Sequence, residues 1–141
     1  MTVRRNVDVI MKEIKVLICS ARENVSEYFF EILNSRNIKV TGIARNYTEA
    51  DSVIKNTQTD IVMIDAIKGS GYDGIEITEA ISKKYPRIKS MLFADNISGG
   101  LAAEAYCAGA KECCLSDTDK DYICRSIRSI VENDDYLGRI I

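Results

Sequence analysis

Apolar runs of strand length alternate along this chain with stretches of helical period, one pair about every twenty residues. That alternation is the pattern of βα units wrapped around a parallel sheet. Five strands are predicted, at Val16 to Cys19, Ile38 to Ala44, Ile61 to Ile64, Ser90 to Ala94 and Cys113 to Leu115. Four of them are nearly continuous apolar runs, as expected of strands covered on both faces. The second mixes Ile38, Val40 and Gly42 with Lys39, Thr41 and Ile43, which suits a partly exposed edge strand. Between the strands, Val25, Phe29, Ile32 and Leu33 and later Ile123, Ile127, Ile130 and Val131 fall at i, i+4, i+7 and i+8, so each helix carries one apolar stripe. Thr48 ahead of Asp51 reads as an N-cap, Gly109 as a C-cap, and Ser98 or Asp117 as caps of the last two helices.

Composition narrows the class. The chain has 141 residues, 46% hydrophobic and 28% charged, with one Pro and eight Gly, so a single globular domain is expected and disorder is excluded. A formal charge of -2 argues against a broad basic face for DNA or an anionic membrane. The chain contains no histidine, which removes Ser-His and Cys-His catalysis, His-ligated zinc and a phosphohistidine, and the chain is read as noncatalytic. Five cysteines, at 19, 107, 113, 114 and 124, lie in apolar stretches without a C-x-x-C pair and read as reduced core thiols of a cytoplasmic protein. A thiol redox sensor is the alternative. No apolar run has the length of a membrane span.

Open parallel sheets place their functional crevice beyond the carboxyl ends of the strands. Those ends are Ser20, Ala21 and Arg22, then Asp65, Asp95, and Ser116 with Asp117. Asp65 closes the run Asp60-Ile-Val-Met-Ile-Asp65, and an ionised carboxylate directly after four apolar residues has to meet solvent, a donor or a cation. A helix-capping or loop role is the alternative.

Taken in order, Ile38-Lys-Val-Thr-Gly-Ile-Ala44, Thr48-Glu-Ala50, Asp60 to Asp65, Asp73-Gly74 and Glu104-Ala-Tyr-Cys-Ala-Gly-Ala110 resemble the receiver domain of bacterial response regulators, most closely the NarL/FixJ type. The resemblance covers Lys15 to about Asn133. It implies a flavodoxin-like α/β fold, a five-stranded parallel sheet in order 2-1-3-4-5 doubly wound with five helices, and it places Asp65 on the phosphoacceptor aspartate. It also implies a homodimer surface on the fourth helix, fifth strand and fifth helix or on the first and fifth helices, and a sensor kinase or other protein as partner.

The remaining machinery departs from the family. Ser20 and Ala21 stand where the resemblance implies paired magnesium-binding acids, Ala94 where it implies the phosphoryl-bonding hydroxyl, Cys113 where it implies an aromatic switch residue and Ser116 where it implies a lysine. One carboxylate and a serine hydroxyl are a poor Mg²⁺ set, so metal binding is expected to be weak or absent and no cofactor is assigned. Asp95 adds negative charge beside the site, and unit charges about 4 Å apart at a partly buried position repel by about 4 kcal/mol. An atypical receiver with impaired or absent phosphorylation of Asp65 is therefore expected. In the alternative, Arg22 and Lys68 supply substitute positive charge to a phosphorylatable Asp65; Arg22 is also read as a permanent internal cation paired with Asp65, or as a solvated surface arginine.

The run Gly69-Ser-Gly71-Tyr-Asp-Gly74 is a literal G-x-G-x-x-G with Asp95 about twenty residues beyond it, which keeps a nucleotide-binding reading in play. Against it, Asp65 to Lys68 separate the strand from the first glycine, and Asp65 and Asp73 repel a pyrophosphate. The resemblance also accounts for the segment after Ser129 as the lead into a helix-turn-helix output domain, so the expected parent is a transcription regulator that touches DNA only through that domain, with a stand-alone receiver as the alternative. Residues 1-10 are taken as an N-terminal extension, 11-133 as the receiver-like domain and 134-141 as the start of the linker.

Overall fold

The computed structural model describes residues 13–34 and 36–133; the predicted extension and linker segments lie outside the described residues. Within them run β1 (Ile14–Cys19), α1 (Glu23–Asn34), β2 (Ile38–Ala44), α2 (Tyr47–Asn56), β3 (Ile61–Asp65), a short hairpin of β4 (Lys68–Gly69) and β5 (Tyr72–Asp73), α3 (Gly74–Lys84), β6 (Lys89–Ala94), α4 (Leu101–Ala108), β7 (Glu112–Leu115) and α5 (Lys120–Glu132). The main sheet has the order β2-β1-β3-β6-β7, with every neighbouring pair parallel. Leaving out the hairpin strands, this is the 2-1-3-4-5 order expected from the sequence.

The pleat sorts the strands' side chains onto two faces. Val16 and Ile18 of β1 join Phe29 and Leu33 of α1 and Ile123, Ile127 and Ile130 of α5 on one face, where the Phe29 and Phe93 rings lie 4.4 Å apart. Leu17 and Cys19 join Ile54 of α2, Ile77 and Ile81 of α3 and Ala105 of α4 on the other. Full burial of one such aliphatic or aromatic side chain contributes about 1.5–3 kcal/mol, so two packed faces account for a fold without cross-links. Cys113 and Cys114 fall into opposite clusters, as the alternation of a strand demands. β3, central and flanked on both sides, is buried at every position, whereas β2 at the edge is mostly half-exposed and carries a bulge opposite Val16 and Leu17.

The helix ends differ from the sequence reading in three places. α2 is capped by Asn46, whose side chain accepts from the Glu49 amide, rather than by Thr48, because Asn46 is the last extended residue before the helix. The N-cap position of α4 is Gly100, which offers no side-chain cap, so Ser98 does not serve, and α5 is capped by Asp119 rather than Asp117, with the Tyr122 amide as donor. Gly109 ends α4 at φ +112, a left-handed conformation in which glycine carries no Cβ penalty.

Candidate functional site

Three strand ends converge beyond the carboxyl edge of the sheet, and one arginine ties them together. Asp65 ends β3 with its side chain 1% exposed. Arg22, in the turn after β1, donates from Nε to Asp65 Oδ2 at 2.8 Å and from Nη2 to Oδ1 at 3.0 Å, a bidentate pair. The same guanidinium turns outward to Asp95 at the end of β6, with Nη1 to Oδ2 at 2.6 Å and Nη2 to Oδ1 at 3.4 Å. Asp65 is further held by the Ser20 hydroxyl, donating to Oδ2 at 2.8 Å, and by the Ile67 amide, donating to Oδ1 at 3.3 Å. Ser20 is fully buried and its Oγ accepts the Arg22 amide at 3.0 Å, which fixes the turn that aims the guanidinium.

These contacts set the electrostatics. The hydrogen bonds that Arg22 donates to both carboxylates, Asp65 foremost, raise its pKa, so the cation is permanent. Arg22 in turn holds the Asp95 carboxyl below the usual carboxylate range. The repulsion expected from Asp95 is thus offset by a positive charge between the two acids. Burial pushes the neighbouring Cys19 thiol up to about 12, far from a reactive thiolate.

The other candidate positions spread around this centre. Ala21 is exposed and Ala94 buried, and neither offers a side-chain oxygen. Cys113 faces the cluster beneath α3 and α4, and the Ser116 amide donates to the Ala94 carbonyl at 2.8 Å. Lys68 is turned away: its side chain is 81% exposed and lies 3.8 Å from Asp73. The donor set does not fit a magnesium ion, since the turn after β1 supplies a hydroxyl and a methyl group, and the guanidinium takes two edges of the carboxylate that would have to serve as ligand.

The glycine run folds as a hairpin. Ser70 and Gly71 both have positive φ, 49° and 82°, as a two-residue turn requires, and Lys68 and Gly69 pair with Asp73 and Tyr72. Gly74 then starts α3 against the end of β3, where a Cβ would stand 2.1 Å from the Asp65 carbonyl oxygen. The glycines therefore serve a turn and a close approach of backbone, and Asp73 caps α3 through the Ile75 and Glu76 amides. Sequence reasoning passed over Tyr72, which is 4% exposed and whose hydroxyl lies 2.7 Å from the Asp65 carbonyl oxygen and 3.1 Å from that of Cys19. An aromatic residue set between glycines was the available signal. The cysteines also need a correction: four are buried, but Cys107 is exposed on α4, because it lies off the helix face formed by Ala102, Ala105 and Ala108.

A doubly wound sheet in this order with a carboxylate closing its central strand defines a receiver-fold domain. The chain is 30% identical over 118 residues to the transcriptional regulatory protein LnrK of Bacillus subtilis (strain 168), a match that takes in 83% of this chain and 53% of that protein. The chain thus spans about half the length of that curated relative. Among solved structures it is similar to a CheY-like response regulator receiver domain protein from Methanospirillum hungatei JF-1, with a TM-score of 0.76, 19% identity and coverage of 89% and 98% of the two chains. A LuxR-family two-component response regulator from Aurantimonas sp. SI85-9A1 superposes with a TM-score of 0.75 at 23% identity, covering 84% of each chain. No known family model matches. No helix among the described residues is long and apolar enough to cross a membrane.

Proposed function

We propose that this chain is the regulatory domain of a response regulator of two-component type, noncatalytic itself, and that it works without the aspartyl-phosphate switch. The observation that carries the reading is the Arg22 bridge: both oxygens of Asp65 are taken by the guanidinium, Ser20 and Ile67 before any phosphodonor arrives. Phosphoryl transfer needs a free nucleophilic oxygen and cations around the transferred group. Here attack by Asp65 has to break a bidentate ion pair, and the phosphorylated product places added negative charge beside Asp95. The likeness to a longer transcriptional regulatory protein, of which the match takes in 53%, supports a parent that regulates transcription through an output domain of its own, the one part of the protein that touches DNA. A second copy of this chain is its proposed partner, with Leu115, which is 40% exposed, at the rim of a groove of about 370 Å³ shared with Ile97 and Tyr122.

Intact-mass analysis after incubation with Mg²⁺ and acetyl phosphate tests the central claim, with Asp65→Asn as the control. No increment is expected at saturating donor. A gain of about 80 Da that the control lacks, the mass of one phosphoryl group, overturns it and shows that Arg22 yields the carboxylate to the phosphoryl group.

A further inference from the structure

On the β2 side of β1, between the N-terminal halves of α1 and α2, lies a pocket of about 300 Å³. Its lining includes Glu23 and Glu27, one turn apart on α1, Glu49 of α2, and Ile43 and Arg45 from the end of β2 and the turn after it. Ser26, on the same wall, is 1% exposed, and its hydroxyl has no hydrogen-bond partner among the described residues. A buried hydroxyl left in this state costs free energy, which a donor entering the pocket recovers. The other hydroxyl of the lining is already spent: Ser20 donates to Asp65 at 2.8 Å and accepts the Arg22 amide at 3.0 Å.

The charges are partly neutralised from within. Arg45 Nε lies 3.9 Å from Glu49, which also accepts the Arg45 amide at 2.8 Å. Glu23 and Glu27 are exposed and form no ion pair among the described residues. The N-termini of α1 and α2 each add about half a positive charge, and with Arg45 counted against all three acids the lining still keeps roughly one net negative charge. The adjoining Arg22 does not cancel it, because that guanidinium is shared between Asp65 and Asp95. Among the described residues no three acids or cysteines stand close enough together to hold a metal ion, so the spacing of these carboxylates calls for a broader cation. Guanidinium is such a cation: planar, weakly hydrated and rich in N–H donors. Ile43, 42% exposed at the mouth, offers apolar surface to an alkyl stem.

We infer that this pocket binds an alkylguanidinium group, whose N–H groups donate to Glu23, Glu27 and the Ser26 hydroxyl while its stem lies on Ile43, independently of the chemistry at Asp65. The group has two sources, a free small guanidinium compound and an arginine side chain of a partner protein.

The test is titration of the full chain at low ionic strength with methylguanidinium and, separately, with the blocked peptide acetyl-Ala-Arg-Ala-amide, followed by amide NMR. Saturable binding is expected, with shifts at Ser26, Glu27 and Ile43 rather than at Ile67 or Ile97, weakening as salt is raised. Tighter binding of the peptide assigns the partner side chain as the source, and equal or weaker binding assigns the free compound. Tetramethylammonium, of equal charge but without N–H donors, should not saturate. Affinity should fall at least about tenfold in Glu23→Gln/Glu27→Gln and at least about threefold in Ser26→Ala, each with an unchanged circular dichroism spectrum. Absence of saturation by both guanidinium probes, equal binding of tetramethylammonium, or undiminished affinity in either folded variant overturns the inference.

Discussion

Removing the Arg22 guanidinium leaves a buried carboxylate behind, and the cost can be worked from the contacts. In Arg22→Ala, Asp65 keeps the Ser20 hydroxyl and the Ile67 amide but loses its counter-charge while only 1% of its side chain is exposed. Stranding one partner of a buried ion pair costs about 3–5 kcal/mol. Arg22 is itself 28% exposed, so water can enter the space it vacates, and the lower end, about 3 kcal/mol, applies here. The outward contact adds little, because the Asp95 side chain is 63% exposed and such pairs contribute at most about 1 kcal/mol. With a urea slope near 2 kcal/mol/M for a domain of this size, the midpoint should fall by about 1.5 M in Arg22→Ala and by less than about 0.5 M in Asp95→Ala. A cycle with Asp65→Asn isolates the pair, and a coupling of at least about 2 kcal/mol is expected. If Arg22→Ala unfolds within about 0.5 kcal/mol of the parent, or if the two substitutions add independently, the bridge does not hold the site.

Gly74→Ala should cost about 3 kcal/mol or more, since its methyl meets the Asp65 carbonyl oxygen at 2.1 Å and backbone on both sides has to move; thermal unfolding reads the loss. Asp51 joins α2 to the end of α3 through the Tyr85 hydroxyl and Lys84 and pairs with Lys55 of its own helix, contacts that hold its carboxyl down to about 2. A depressed folded-state pKa stabilises above the unfolded value near 4 and is lost as pH falls, so the stability profile between about pH 4 and pH 2 should flatten in Asp51→Asn. Under native conditions a maleimide should label Cys107 alone, with Cys19 and Cys114 added only on unfolding because burial pushes both thiols up to about 12; intact mass counts the adducts, and rapid native labelling of a second site refutes the assignment.

The fold was legible because its signals are periodic and cumulative. The alternation of apolar runs with helical stripes placed all five main strands, and only their ends moved, β1 beginning at Ile14 and β3 including Asp65. The mixed pattern of Ile38 to Ala44 identified the sheet edge, because an edge strand has one flank and a partly wet face. Caps were read less well. Several oxygen-bearing side chains stand near each helix start, and the backbone angle that selects Asn46 over Thr48 is set by how the chain leaves β2. At the site, the position of Asp65 follows from one-dimensional order, and pairing with Arg22 was one of the readings the sequence offered and is the one the structure shows, but the sequence did not decide among them. Arg22 and Asp95 are separated by 73 positions, and nothing in local sequence distinguishes a guanidinium turned inward from one left in water. Tyr72 was hidden for the same reason: its burial depends on the hairpin folding back over the end of β3.

A cation tethered to the chain and a dissociable one have different consequences for a switch. An ion that comes and goes makes the state of a site depend on concentration, and a phosphoryl group makes it depend on a kinase. Arg22 can do neither, since it is joined to β1, carries its charge at any physiological pH, and holds the ends of β3 and β6 together through Asp65 and Asp95. On the proposed reading the carboxyl edge is therefore set when the domain folds. Its inner arm is shielded from competitors by burial, while its outer arm at Asp95 remains open to solvent. Any input that acts through this edge has to compete for the Arg22–Asp95 pair, which is weak enough for an acidic group on a partner to displace, and leave the Arg22–Asp65 pair in place.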